Sequence, residues 1–260
     1  MPDFRGKTVI VTGGGSGLGR AMAEHLASLG AVAVLAGRRP EPLIETAAAI
    51  VAAGGRADVA PTDVRDPAQV QALVRGVVER HGRVDRLINN AAGNFICPAK
   101  DLSPNGWNAV VNIVLNGTFY CSHAAGNAMI ADGKGGAILN IVASYAWTGG
   151  PGTIHSASAK AGVCAMTQTL AVEWGRYGIR TNALSPGIVN TPGAAEKLFP
   201  TDEMRSAISA RVPLRRLGTA DEVAKAAAFL LSDDAAYVNG AVLVADGGLW
   251  LGPSLLQAPS

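Results

Sequence analysis

The chain runs to 260 residues, 48% of them apolar and 16% charged, with a formal net charge of +2. That is material for one large α/β domain with a sizeable core rather than for a disordered or fibrous chain. A balance so near neutral, with no basic stripe, gives no footing for nucleic-acid binding, and no apolar run nears the roughly 18 residues of a membrane span.

Three cysteines, Cys97, Cys121 and Cys164, are widely spaced and lack any CxxC or Cys/His cluster, so neither a disulfide framework nor a metal site is expected. They read as small apolar core residues. The opening MPDFRGKTVIVTGGG carries charges and glycines where a leader would be apolar, and the closing QAPS is no peroxisomal address. A cytoplasmic enzyme or binding protein is the expectation.

In chain order, short apolar runs alternate with longer helical patterns, the mark of repeated βαβ units. Strands are predicted at Lys7–Thr12, Ala31–Ala36, Arg56–Pro61, Val84–Asn89, Gly136–Val142, Ile179–Ser185 and Ala241–Gly247. The helix after the first strand closes on Gly30, and another has Asp66 as N-cap, Pro67 at its first position and Gly82 at its end. Met166, Leu170 and Trp174, four residues apart, read as a packing face. With no repeat, linker or shift in composition, residues 1–260 read as a single Rossmann-type doubly wound α/β domain, its mostly parallel seven-stranded sheet flanked by helices. The least patterned stretch, around 187–218, lies where ligands sit in such folds and is read as a substrate lid.

The first strand runs into TGGGSGLG, Thr12–Gly19, which opens a helix. Gly13, Gly17 and Gly19, with Ser16 and Leu18 between them, permit a tight turn that brings backbone N–H groups to a pyrophosphate at the helix's positive end. Such glycines also make ordinary turns, but the strand before and the helix after point to a dinucleotide site. The second strand ends LAGRR. An acidic residue there would hold a ribose 2′-hydroxyl; Arg38 and Arg39 suit a 2′-phosphate instead, and so NADP. The alternative, two arginines merely exposed at a helix start, stays open.

TGxxxGxG, then NNAAG at Asn89–Gly93, a lysine on a helix, and SPG at Ser185–Gly187 together resemble the short-chain dehydrogenase/reductase family over nearly the whole chain. The resemblance implies that Asp63 and Val64 lie near the adenine, and that Asn90, Ala91, Ala92 and Gly93 support the nucleotide. It further implies that Lys160 binds the nicotinamide ribose and that Pro186, Gly187, Ile188 and Thr191 flank the nicotinamide. Asn112, in VVNIVLNGT, matches the helix asparagine that helps position the lysine through water. A homotetramer is likewise implied.

One departure decides the chemistry. Family members ordinarily carry YxxxK with a serine thirteen residues before the tyrosine; here those positions hold Ser156 and Ala143. A serine hydroxyl is too weak an acid to replace a tyrosine, whose free pKa of about 10 the neighbouring lysine lowers. NNAAGNFICPAKDLSPNGW, IHSASAKAGVCAMTQTLAVEWG and GAVLVADGG instead resemble the 2,4-dienoyl-CoA reductases. In mitochondrial-type members a tyrosine fifteen residues before the lysine supplies the hydroxyl, and Tyr145 stands there. Asn94 matches their second carbonyl-binding group and Ser156 a third polar residue. His155 falls where peroxisomal-type members have histidine and is read as a polar residue at a helix start.

Hydride delivery to a dienoyl thioester gathers negative charge on the thioester oxygen, which needs hydrogen-bond donors more than a proton; Asn94 and Tyr145 would supply them, each such donor contributing about 3 kcal/mol to the transition state. Protonation at carbon, from water, would give the 3-enoyl thioester. The resemblance thus implies NADPH-dependent reduction of a 2,4-dienoyl-CoA in the degradation of unsaturated fatty acids. Tyr145 as a solvated loop residue and Asn94 as a turn residue remain the alternative readings. Two rival functions are a short-chain reductase of a ketone or 3-oxoacyl thioester and a catalytically silent NADP-binding module.

Overall fold

A computed structural model describes residues 2–191 and 201–252. The strands β1 (Thr8–Thr12), β2 (Val32–Gly37), β3 (Arg56–Pro61), β4 (Arg86–Asn89), β5 (Gly136–Ile141), β6 (Ile179–Pro186) and β9 (Val242–Ala245) pair in parallel in the order β3-β2-β1-β4-β5-β6-β9. All seven predicted strands are present. Chain order reverses between β1 and β4, which opens a crevice at their carboxyl ends.

The sheet's faces follow from its alternating side chains. Val9 and Val11 point to one face, where they meet Met22 and Leu26 of α1 (Gly17–Ser28), Leu43 and Ile50 of α2 (Pro40–Ala52), and Leu230 and Leu231 of α9 (Ala220–Leu231). Ile10 points to the other, toward Val70 and Val77 of α3 (Pro67–His81) and Cys121 and Met129 of α5 (Gly117–Asp132). Each large aliphatic side chain so buried contributes about 1.5–3 kcal/mol before entropy is counted. The helix ends obey local chemistry: Asp66 accepts the N–H groups of Ala68 (2.9 Å) and Gln69 (3.4 Å), and Gly82 leaves α3 with φ +81°.

Helix α4 (Pro104–Val111) continues into α5 through one π turn, Asn112–Asn116. A single helical turn, α6 (Tyr145–Thr148), precedes the long α7 (Ile154–Trp174). On α7, Leu170 is buried and Met166 and Trp174 pack against the core. Of the three cysteines, all free thiols, only Cys121 is buried; Cys97 and Cys164 are partly exposed, Cys97 in the loop after β4 and Cys164 at the edge of the cluster around Val163 and Ala183. Of the stretch read as a lid, 192–200 lies outside the described residues. Its described parts are the two-residue strand β7 (Val189–Asn190), α8 (Asp202–Ser209) and β8 (Gly218–Thr219), with β7 and β8 paired in parallel. No helix among the described residues is long and apolar enough to cross a membrane.

Candidate functional site

The glycine turn sits at the mouth of the β1/β4 crevice. Gly13 has φ +67°, a conformation other residues rarely adopt. A Cβ at Gly19 would stand 2.2 Å from the carbonyl oxygen of Gly13 and 2.6 Å from Asn90 Nδ2, so α1 approaches the turn closely only because this position is bare. Thr12 Oγ1 accepts the N–H groups of Asn90 and Ala91, both at 3.0 Å, and Asn90 Nδ2 donates to Thr12 O at 3.0 Å. These bonds lock the end of β4 to the glycine turn. Ser16, the N-cap of α1, makes no side-chain cap bond, so the first-turn N–H groups are open to an anion.

Around this turn lies a cleft of about 260 Å³, and Gly13, Ser16, Arg38, Asp63, Val64, Asn90, Ala91 and Ala92 all line it. Gly17, Leu18 and Gly19 form the first turn of α1 beneath it. The sequence reading missed Thr62, Pro42, Leu43 and Ile113, which complete the wall; as ordinary apolar or hydroxyl residues they carry no motif. Arg38 and Arg39 are exposed at the end of β2 and make no hydrogen bond among the described residues. The hydrogen-bonded guanidinium of Arg65 holds the Asp63 carboxyl below its usual range, and the charge of Arg38 adds to this. The cleft offers a bare backbone cradle, an open helix N-terminus and two unengaged guanidiniums, a donor set that fits a phosphorylated dinucleotide.

Gly93 and the stretch Pro186–Thr191 lie outside the residues that line this cleft. Gly187 and Ile188 border a separate cavity of about 370 Å³ beside Asp246 and Trp250.

Outside the residues that line the cleft, α7 places Ser156 and Lys160 one turn apart on one face, both buried. Tyr145, at the start of α6, is half-buried, and its hydroxyl lies 3.0 Å from Ser156 Oγ. Lys160 Nζ donates to the carbonyl oxygen of Ile141. Burial pushes its pKa down to about 8, with a small opposing effect from Cys164. The ammonium therefore has one buried acceptor and donors to spare.

The remaining candidates are less converged. Asn94 is exposed; its Oδ1 accepts the N–H of Phe95 at 2.9 Å, and no hydrogen bond joins it to Tyr145, Ser156 or Lys160. Asn112 opens the π turn on its exposed side, and its Oδ1 accepts from Asn116 Nδ2 at 2.8 Å rather than engaging Lys160. Beneath the site runs a buried chain that sequence reading did not find. Asn89 Nδ2 donates to Ser122 Oγ and Asn140 Oδ1, and Asn140 Nδ2 donates to Thr167 Oγ1, each at 2.8 Å. It ties β4, β5, α5 and α7 together, and losing one member would cost about 1–3 kcal/mol by leaving its partners unpaired. Among the described residues no cluster of His, Cys, Asp or Glu could hold a metal ion.

The family profile described as enoyl-(acyl carrier protein) reductase matches residues 13–250. A Bacillus subtilis protein named "Probable 2,4-dienoyl-CoA reductase", (2E)-enoyl-CoA-producing, is 52% identical over 248 residues, covering 95% of this chain and 98% of its own. The Danio rerio peroxisomal 2,4-dienoyl-CoA reductase, (3E)-enoyl-CoA-producing, is 40% identical, covering 96% of this chain and 84% of its own. Among solved structures, a short chain dehydrogenase from Bacillus anthracis superimposes with a TM-score of 0.87 at 50% identity, covering 98% of this chain and 99% of its own.

Proposed function

The chain belongs to the short-chain dehydrogenase/reductase family, oxidoreductases that use a nicotinamide cofactor, and on that premise we propose that it is an NADPH-dependent 2,4-dienoyl-CoA reductase of unsaturated fatty acid degradation. The observation that carries this reading is the 3.0 Å contact between the Tyr145 hydroxyl and Ser156 Oγ. It brings a phenol to the helix face where YxxxK members carry their tyrosine, from a turn eleven residues upstream. The names of both dienoyl-CoA reductase relatives support the same substrate class.

When bound, the cofactor supplies the hydride. The residues that would hold it are Gly13 and Ser16–Gly19 at the pyrophosphate, Arg38 at a 2′-phosphate, Asp63 and Val64 at the adenine, and Asn90–Gly93 along the nucleotide. Lys160 would hold the ribose hydroxyls, and Pro186–Thr191 would hold the nicotinamide. Tyr145 donates its hydroxyl proton in a hydrogen bond to the thioester oxygen, where charge gathers as the diene is reduced. With that proton committed to the thioester oxygen, the Ser156 hydroxyl donates to the phenol oxygen and so fixes its direction. The Asn94 amide, whose Nδ2 has no hydrogen bond among the described residues, is the second donor. Lys160 adds a positive charge that favours an electron-rich oxygen nearby. No titratable acid is assigned to the diene carbons, so protonation comes from water and yields the 3-enoyl thioester, the product named for the Danio rerio relative. A cytoplasmic homotetramer belongs to the same reading.

The test is incubation with NADPH and 2,4-hexadienoyl-CoA or acetoacetyl-CoA. Oxidation of NADPH with the dienoyl thioester alone, with loss of conjugated absorbance, is expected. Selective turnover of acetoacetyl-CoA would make the chain a ketone reductase, and tight NADPH binding without turnover of either would make it a silent nucleotide-binding module. A conjugated 2-enoyl product would place the protonation as the Bacillus subtilis relative's name has it.

A further inference from the structure

His155, which the mechanism above does not use, is the second residue of α7 and is 0% exposed. Its Nδ1 accepts the backbone N–H of Ser156 at 2.9 Å. That N–H belongs to the first turn of a helix, which has no intrahelical acceptor for it. A ring nitrogen that accepts carries no proton, so Nε2 is the ring's donor. Nε2 is buried and has no hydrogen-bond partner among the described residues. The ring meets Phe95 edge to face, centroids 4.5 Å apart and planes at 88°. In this arrangement a positive ring edge or an N–H is attracted to an aromatic face.

Phe95 follows Asn94, and its N–H is the donor that Asn94 Oδ1 accepts at 2.9 Å. The same loop is tied to the turn before α7 by the N–H of Cys97, which donates to Gly152 O at 3.0 Å. His155 therefore stands between the two donors assigned to the acyl oxygen. One of its nitrogens holds the backbone of Ser156, whose hydroxyl meets Tyr145, and its ring holds the residue that orients Asn94. A residue that only satisfied a helix-start N–H would need an acceptor atom and no aromatic ring.

We propose that His155 is a positioning residue, its ring fixing Phe95 and through it aiming the Asn94 amide at the oxygen that Tyr145 also contacts. This rests on the reading of Asn94 and Tyr145 as the acyl oxygen's donors. His155→Asn keeps an acceptor for the Ser156 N–H and removes the ring; Phe95→Leu removes the other ring. Each is expected to lower kcat on 2,4-hexadienoyl-CoA about tenfold with little change in the affinity for NADPH. The double variant should fall no further than either single one, because both break the same contact. A kcat for His155→Asn within about twofold of wild type, or losses that multiply in the double variant, would overturn the proposal. Wild-type protein inert toward hexadienoyl-CoA sinks the functional reading instead. The inference is then decided by the side-chain amide NMR signal of Asn94, which shifts in His155→Asn if the proposal holds and stays in place if it does not.

Discussion

Two regions of the molecule are held together by different means. At the first, the glycine turn, the framework is backbone, set by the ends of β1 and β4 and cross-linked by Thr12 and Asn90. At the second, around Tyr145, it is side chains from three separate stretches, joined by single contacts: Tyr145 to Ser156, Asn94 to the Phe95 N–H, and His155 to Phe95. The first fails when an atom is added, as at Gly19, because backbone cannot move aside. The second accommodates exchange. The phenol stands at position 145 rather than 156 and still reaches the same helix face, since serine leaves it room. Reaction chemistry can thus migrate within this fold while cofactor binding stays put.

The sharpest way to break that contrast is Tyr145→Phe, which removes only the oxygen beside Ser156. Turnover of hexadienoyl-CoA is expected to fall about 10²–10³-fold, as for loss of an oxyanion donor, with NADPH affinity held within about twofold. Equal losses in both would mean that the two regions are not separable. Gly19→Ala reverses the pattern: overpacking of this kind costs about 1–3 kcal/mol, so fluorescence titration should show NADPH affinity down about tenfold to a hundredfold, with kcat at saturating cofactor largely kept. Arg38→Ala should cost about tenfold in NADPH affinity through a lost charged hydrogen bond and leave NADH unaffected; an equal loss for both cofactors would remove Arg38 from the 2′-phosphate. The smallest effect is one of pH. Burial brings the Lys160 pKa to about 8, so the side chain is charged below that pH and neutral above it. NADPH affinity should therefore weaken severalfold across about pH 7 to 9, and Lys160→Met should flatten the slope.

The same contrast governs what could be read from the chain. Gly13 could be read as a turn residue because a backbone cradle demands glycines at particular spacings, and Asp63 and Asn90, assigned by resemblance, line the same cleft. Asp66, Pro67 and Gly82 were legible for the same local reason. Tyr145 was placed by its interval from Lys160. Its partner Ser156 lies eleven residues away and depends on how α6 folds back onto α7, which no periodicity encodes. Asn94 and Asn112 were assigned by motif, yet their amides turn toward Phe95 and Asn116, because a short polar side chain binds the nearest backbone or amide partner first. The Asn89, Asn140 and Thr167 chain escaped notice because its members lie on β4, β5 and α7, far apart in sequence, and meet only once the sheet and helix pack.

The π turn between α4 and α5 has a consequence for how this chain can change. It winds one surplus residue into an otherwise continuous rod, so it is an insertion already absorbed. Excising that residue would restore a regular α-helix with the faces on either side still in phase, whereas losing a residue from the regular part of α5 would swing everything beyond it by about 100°. In that second case Cys121, Ala125 and Met129 would leave the sheet for solvent, so the junction is where this rod can lose a residue with its buried face kept.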